Sequence, residues 1–146
     1  MSALTDTAEN QLVDWFFRGQ PAPTLPASWH VALFTVAPGD SGGGTEVSGG
    51  AYARVAVTRN LTNWAGTQSA GSTTASTGNT GATSNNAAIT FPAPTANWGT
   101  VVAVGLFDAA SGGNLWAYAT LGQNRIINNG DPAPNFPISQ LVWTFA

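Results

Sequence analysis

Trp29-His-Val-Ala-Leu-Phe-Thr-Val-Ala-Pro38 runs directly into Gly39-Asp-Ser-Gly-Gly-Gly-Thr-Glu-Val-Ser-Gly-Gly50, and the contrast between the two decides how the chain is read. The first half is apolar, β-prone and of strand length. The second carries too much glycine for either regular structure, so a buried strand is expected to open onto a long exposed loop. The arrangement recurs in Val101-Val-Ala-Val-Gly-Leu-Phe-Asp108, closed by Ala109-Ala-Ser-Gly-Gly-Asn114, and Val31-Ala-Leu-Phe-Thr35 aligns with Val104-Gly-Leu-Phe-Asp108. These two stretches are expected to be the central strands of an all-β domain.

Upstream, residues 7–18 read as the one helix. Asp6 is placed to cap it with Glu9 three positions on, and Gly19 follows the last turn with Pro21 and Pro23 behind it. Its apolar positions, Ala8, Leu12, Val13, Trp15, Phe16 and Phe17, exceed one narrow stripe, so the helix must bury much of its circumference on the β-domain or on a partner. Residues 19–28 form a proline-rich extended linker. Downstream, Ala51 to Arg59 alternates with period two, placing Tyr52, Arg54, Ala56 and Thr58 opposite Ala53, Val55 and Val57. Ala87 to Phe91 is a short strand, and Asn114 to Leu121 is the return strand of a hairpin, with Leu115, Ala117, Ala119 and Leu121 on one face. Arg125 to Asn128 reads as a separate edge strand. Ser139 to Phe145 reads as the last strand, with Leu141, Trp143 and Phe145 sharing a face. Seven or eight short strands with turn signals between them predict one domain over 1–146, a β-sandwich or jelly-roll over 29–146 with one short N-terminal α-helix.

Within that domain Thr67 to Asn86 is a run of Ser, Thr, Gly, Ala and Asn, with the single Gln68, and has no apolar side chain larger than alanine. A segment of this length without structure of its own is usually mobile or functional. It reads as a free loop, an exposed hairpin, or an arm that pairs with a neighbouring molecule.

Composition narrows the function. The 146 residues are 43% hydrophobic with six Trp and seven Phe, enough for one core. Charged residues are 8%, against roughly 25% in an average soluble protein. A surface so poor in charge suits a protein packed against copies of itself or a larger assembly. There is no Lys, and Arg18, Arg54, Arg59 and Arg125 are scattered in a chain of net charge −3, so no basic patch for a phosphate backbone exists. With no Cys there is neither a disulfide nor a thiolate metal site. No signal-peptide pattern opens the sequence and no apolar run nears the roughly 20 residues of a membrane span, so a product made in the cytoplasm, without membrane insertion, is expected.

No catalytic or cofactor constellation emerges. His30 is the only histidine and no nucleophile motif accompanies it, so it reads as a packed or rim side chain. The carboxylates sit at helix ends, turns and loops, where Asp caps backbone groups. Asp40 with Glu46 matches no calcium-loop signature, and the glycine run lacks the Lys-Ser/Thr of a phosphate cradle. Trp64, Trp98 and Trp116 are candidate sugar-stacking platforms if they lie outside the core. No catalytic, cofactor or metal residues are assigned.

The ordered series Val31-Ala-Leu-Phe-Thr35, Gly42-Gly-Gly-Thr-Glu-Val-Ser-Gly-Gly50, Tyr52-Ala-Arg54, Ala82-Thr-Ser-Asn85, Ile89-Thr-Phe-Pro92, Trp98-Gly-Thr-Val101 and Gly105-Leu-Phe-Asp108 resembles a family of small virion structural proteins of tailed bacteriophages. Its members often carry the label of tail fibre protein, and some similar β-proteins serve as capsid cement or decoration proteins. The likeness runs from the helix to about Gly130. The segment Leu61 to Asn79 looks longer than in typical members, and the end from Pro132 to Phe145 richer in proline and aromatics. The resemblance implies a non-enzymatic virion component. Lacking fibrous repeats or a coiled coil, the chain is expected to be a homo-oligomeric cement protein on the outer head surface, with the major capsid protein as partner. The alternative is a tail or fibre component that recognises the host or its surface glycan. In either case Trp15, Phe16, Phe17, Thr73, Thr74, Thr77 and Asn79 are the candidate partner contacts.

Overall fold

A computed structural model describes residues 2–145; Met1 and Ala146, the ends of the expected domain, lie outside the described residues. The elements run β1 (Ser2–Leu4), α1 (Asp6–Phe17), β2 (Ser28–Val36), β3 (Thr45–Glu46), β4 (Val55–Thr58), β5 (Ala82–Ser84), β6 (Ile89–Thr90), β7 (Gly99–Phe107), β8 (Leu115–Ile127), β9 (Asn135–Phe136) and β10 (Val142–Thr144). The fold is mostly β with one short helix, and every pairing is antiparallel. The main sheet has the order β1-β8-β7-β2-β3, with β4 also on the outer edge of β2. Two two-stranded ribbons, β5 with β10 and β6 with β9, stand where a sandwich would carry a continuous second sheet.

The two recurring stretches are the central strands, and they pair with each other, Val31 opposite Leu106 and Leu33 opposite Val104. Alternation sends Val31, Leu33, Val104 and Leu106 to one face, where Ile89, Phe91, Leu141 and Trp143 of the ribbon segments close the core over them. Ala32, Phe34 and Ala103 form a smaller cluster on the other face. There Ala32 lies opposite Gly105, where an added Cβ would come within 2.7 Å of Leu115 and 2.9 Å of Phe34. The small residue at that ladder position makes room for the larger side chains beside it.

Several elements differ from expectation. The N-terminal residues form β1 on the edge of β8, a pairing that three short residues cannot announce. The return strand and the brief edge strand are one 13-residue β8, because β7 continues opposite both. A bulge falls between Leu106 and Phe107, whose partners are Ala117 and Leu115, leaving Trp116 as the extra residue. Leu115 therefore joins the small cluster with Phe34 while Ala117 joins the main core, so the single face expected for both is broken. Phe145 stays half exposed although Leu141 and Trp143 are buried. The glycine-rich run is not wholly loop: Thr45 and Glu46 pair with β2, and Val47 enters the core. Gly44 makes this return possible. Its φ is +77°, and a Cβ there would lie 2.7 Å from the Val36 carbonyl oxygen.

Two polar side chains lock the layers. Arg54, with 7% of its side chain exposed, forms a two-pronged pair with Glu46 at 2.8 and 2.7 Å. Its remaining nitrogen donates to the carbonyls of Ala109 and Gly112, each at 2.8 Å, and its guanidinium lies 3.4 Å from the centre of the Phe107 ring. Tyr52 donates to the same Glu46 carboxylate and accepts from the Leu33 N–H. That N–H falls where β4 has ended and β3 has not begun along β2. Burial raises the Tyr52 phenol far above its usual range, and the Glu46 charge adds to the effect, so the hydroxyl stays a donor. Asn85, fully buried, donates to the carbonyls of Ala87 and Pro137 and accepts from the Leu141 N–H.

Removing Arg54 leaves the partly buried Glu46 carboxylate without its charged partner. Arg54→Met should destabilise by about 3–5 kcal/mol, and adding Glu46→Leu should recover much of the loss. Asn85→Ala should cost about 3 kcal/mol or more, because several buried backbone groups lose partners together. Thermal unfolding checks both, at roughly 2–4 °C per kcal/mol for a domain of this size; a double variant no better than Arg54→Met would show that the charge pair is not the locking element.

Candidate functional site

The helix enters from the sheet edge. Thr5 is extended, with φ −88° and ψ 161°, and occupies the N-cap position, so Asp6 is the first helical residue rather than the expected cap. The Thr5 hydroxyl makes no capping bond. It donates instead to the Leu115 carbonyl at 2.6 Å, since β1 draws Thr5 into the core. Asp6 and Glu9 place negative charge in the first turn, where the helix dipole favours it. At the other end Arg18 and Gln20 both donate backbone N–H groups to the Asp14 carbonyl, around Gly19 at φ +67°.

This tethering at the N-terminal end leaves the rest of α1 uncovered. Ala8 is its only buried residue, whereas Trp15, Phe16 and Phe17 are 46%, 73% and 78% exposed, with Leu12 and Val13 exposed beside them. The burial expected for most of the helix circumference is therefore not achieved within one chain. The three rings form a continuous surface: Trp15 meets Phe16 edge to face at 6.0 Å, and Phe16 lies 5.2 Å from Phe17. The end of α1 thus leaves a contiguous aromatic surface in water.

The Ser/Thr/Gly-rich segment divides in two. Ala82–Ser84 is β5, and Ser84 and Asn85 are buried, so the loop ends near Gly81 rather than at Asn86. Before that, the loop is knitted by its own polar groups. Gln68 donates to the Thr74 hydroxyl and the Ala75 carbonyl and accepts from the Thr77 N–H, while the Thr67 hydroxyl accepts from the Gly78 N–H. Thr73, Thr74, Thr77 and Asn79 all face solvent on it. The structure thus separates the two groups of candidate contacts by origin: one is an apolar helix end, the other a polar loop held by side chain to backbone bonds.

The sugar-platform expectation fails for two of its three tryptophans. Trp98 and Trp116 are buried, with their indoles donating to the Gly50 carbonyl and to Asp108 respectively. Trp64 is half-buried, and with Trp29, Trp116 and Trp143 it lines an apolar pocket of about 210 Å³. Asp40 and Glu46 do not act together, since Asp40 accepts from the Tyr118 hydroxyl and Glu46 belongs to Arg54. Hydrogen bonding to Asp40 raises the Tyr118 phenol above its usual value. Burial alone would raise Asp108, but donors from the Asn114 N–H, the Asn114 amide and the Trp116 indole outweigh it and hold the carboxyl below its ordinary 3.8. Among the described residues no three His, Asp or Glu side chains cluster for a metal, and no helix is long and apolar enough to cross a membrane.

A wider groove, which sequence reasoning missed, opens beside the distal half of β8. It has a volume of about 930 Å³ and runs between Leu121–Ile127 and the proline-rich segment from Asp131 to Pro137. Its only advance signal was the aromatic and proline enrichment of the C-terminal stretch.

In comparison with known proteins, residues 3–144 match the model of a family described as podophage GP4 fiber I protein gp80. No match is found among curated proteins.

Two results should follow from this geometry. Phe16→Ser with Phe17→Ser should leave stability within about 0.5 kcal/mol, as for solvated side chains, while abolishing binding of an apolar-surface dye; a large loss of stability would mean the rings pack on their own chain. Asp108 has a lowered folded pKa, so its stabilising contribution is complete above pH 3.8 and is lost as pH falls through the lowered value. Acid unfolding of Asp108→Asn should therefore be flatter below about pH 4 than that of the parent, and parallel curves would remove Asp108 from the acid response.

Proposed function

Because this chain belongs to the podophage GP4 fiber I protein family, we propose that it is a non-enzymatic subunit of a fibre borne by a tailed-phage particle, held in place by the exposed end of α1. The match over residues 3–144 carries this reading. Two features support it. The apolar ring surface of Trp15, Phe16 and Phe17 offers what an assembly contact needs at its centre, aromatic side chains that exclude water, each ring worth about 1.5–3 kcal/mol when fully buried. Charged groups are few, so assembly rests on shape and apolar contact rather than on ion pairs.

The fibre reading displaces the cement protein as first choice, because the family description names a fibre. Self-association through α1 completes the proposal. A homo-oligomer would cover the Phe16 and Phe17 rings that the single chain leaves in water.

The position of the protein in purified particles tests this. Antibody labelling should mark appendages at the tail vertex, with at most a few dozen copies per particle, and Phe16→Ser with Phe17→Ser should remove the protein from particles. Incorporation should change little as salt rises from 0.1 to 1 M, where screening shortens from about 10 to 3 Å. Hundreds of copies spread over the head would restore the cement reading in its place.

A further inference from the structure

The groove beside β8 is apolar at its floor, where Leu33, Phe91, Val101 and Ile127 lie. Ile126, 68% exposed, and the half-buried Phe136 stand at its rim. Neither long wall offers a continuous ladder to an added strand. Along β8, Thr120 pairs with Ala103 and Arg125 with Val101, so Leu121 to Asn124 stand opposite Val102 alone and the ladder is broken there. The facing wall carries Pro132, Pro134 and Pro137, which have no N–H to donate. An occupant must therefore bring a backbone that is already hydrogen-bonded, as a helix does.

From this arrangement we infer that the groove receives the C-terminal half of α1 from a second copy of the chain, in a head-to-tail contact. Leu12 and Phe16 lie one helical turn apart, as do Val13 and Phe17, and all four are exposed, which is the stripe a helix lays into a groove. Size selects the groove over the tryptophan-lined pocket. A cavity of roughly 150 Å³ holds one benzene ring, so the pocket of about 210 Å³ takes a single ring whereas the groove of about 930 Å³ takes several. Charge complementarity sets the orientation. The Asp14 carbonyl accepts from both Arg18 and Gln20, while those of Trp15, Phe16 and Phe17 accept from no backbone N–H among the described residues. With no basic residue in its last turn, α1 ends in uncompensated negative potential. Arg125, on the groove, is the cation that matches it. Arg18 pairs with Asp14, Arg54 with Glu46, and Arg59 donates to the Pro26 carbonyl, whereas the Arg125 guanidinium has no partner among the described residues. In the docked helix Arg18, whose side chain is 70% exposed, meets Asp131, the carboxylate on the same groove. Each copy then offers one helix end and one groove, so the contact is heterologous, and it covers the rings that a single chain leaves in water. This contact rests on the self-association proposed for the fibre subunit and supplies the surface on which α1 docks.

Two variants block the groove without touching the core. A Cβ at Gly122 meets nothing within 4 Å and Ile126 is exposed, so Gly122→Glu and Ile126→Glu should leave the melting temperature unchanged. Sedimentation velocity of the purified parent should show concentration-dependent association. Each groove variant should weaken it roughly tenfold or more, as should Phe16→Ser with Phe17→Ser. Arg125→Gln should weaken it about two- to fivefold. Mixing decides between contacts. Copies without the rings keep a groove and copies with a blocked groove keep a helix end, so the two should be monomeric alone and form a 1:1 dimer together. With the ring-less copy isotope-labelled, NMR should place the perturbed amides around Ile126 and Phe136. A parent that stays monomeric, association that survives both groove variants, a mixture that stays monomeric, or perturbation confined to the tryptophan-lined pocket would each overturn the proposal. Should Gly122→Glu misfold, Ile126→Glu carries the same test. Groove-blocked copies that still self-associate, with the protein at the tail vertex, would sink this inference alone, while the 1:1 dimer from a protein found on the head would sink the fibre reading alone.

Discussion

A single guanidinium holds together segments that share no strand pairing with one another. Arg54 lies just before β4, its carboxylate partner Glu46 lies within the glycine-rich excursion, and its other acceptors are in the β7–β8 turn. Taking such a charge out of water is costly, and the cost is offset only when nearly every donor finds an acceptor. Here four hydrogen bonds and the Phe107 ring meet that demand. The glycine-rich loop is thereby fastened to the sheet at Glu46, which lets Thr45–Glu46 serve as a strand and Val47 reach the core. Tyr52 extends the cluster to β2 by satisfying the Leu33 N–H between two short edge strands.

The second layer depends on a different device. Two-residue ribbon strands such as β6 and β9 contribute few ladder bonds, so side chains must do what a continuous sheet would otherwise do. Asn85 does this by joining β5 to the segment that precedes β10, with Trp143 and Leu141 buried beside it. The lid over the core is consequently irregular, and its proline-rich outer margin becomes one wall of the groove beside β8.

The family supports a place on a phage particle, and the distribution of surface suits that place. Most of the exterior is small and uncharged, while the large apolar side chains left in water concentrate at the end of α1. The helix is anchored where Thr5 and Ala8 are buried and free where the rings lie, which separates the part that belongs to the fold from the part available to a neighbour. The Gln68-centred loop, satisfied by its own bonds, has less need of a partner than its composition suggested.

The sequence by itself determined the all-β class, the central strands and the helix, because these depend on period, strand length and breaker residues, all local properties. The internal likeness of Val31–Thr35 to Val104–Asp108 even pointed to the two strands that pair. Its ordered motifs also pointed to the phage structural family. Tertiary structure alone decided the remainder. Whether Trp98 and Trp116 are platforms or core depends on what lies across the sheet, and the opposite faces of Leu115 and Ala117 depend on one bulge. The fusion of two expected strands into β8, the pairing of β1, and the burial of Asn85 at the end of a polar run all rest on contacts between residues far apart in the chain. So does the exposure of Phe16 and Phe17: an amphipathic pattern states that a face should be buried, but only packing states whether the same molecule can bury it.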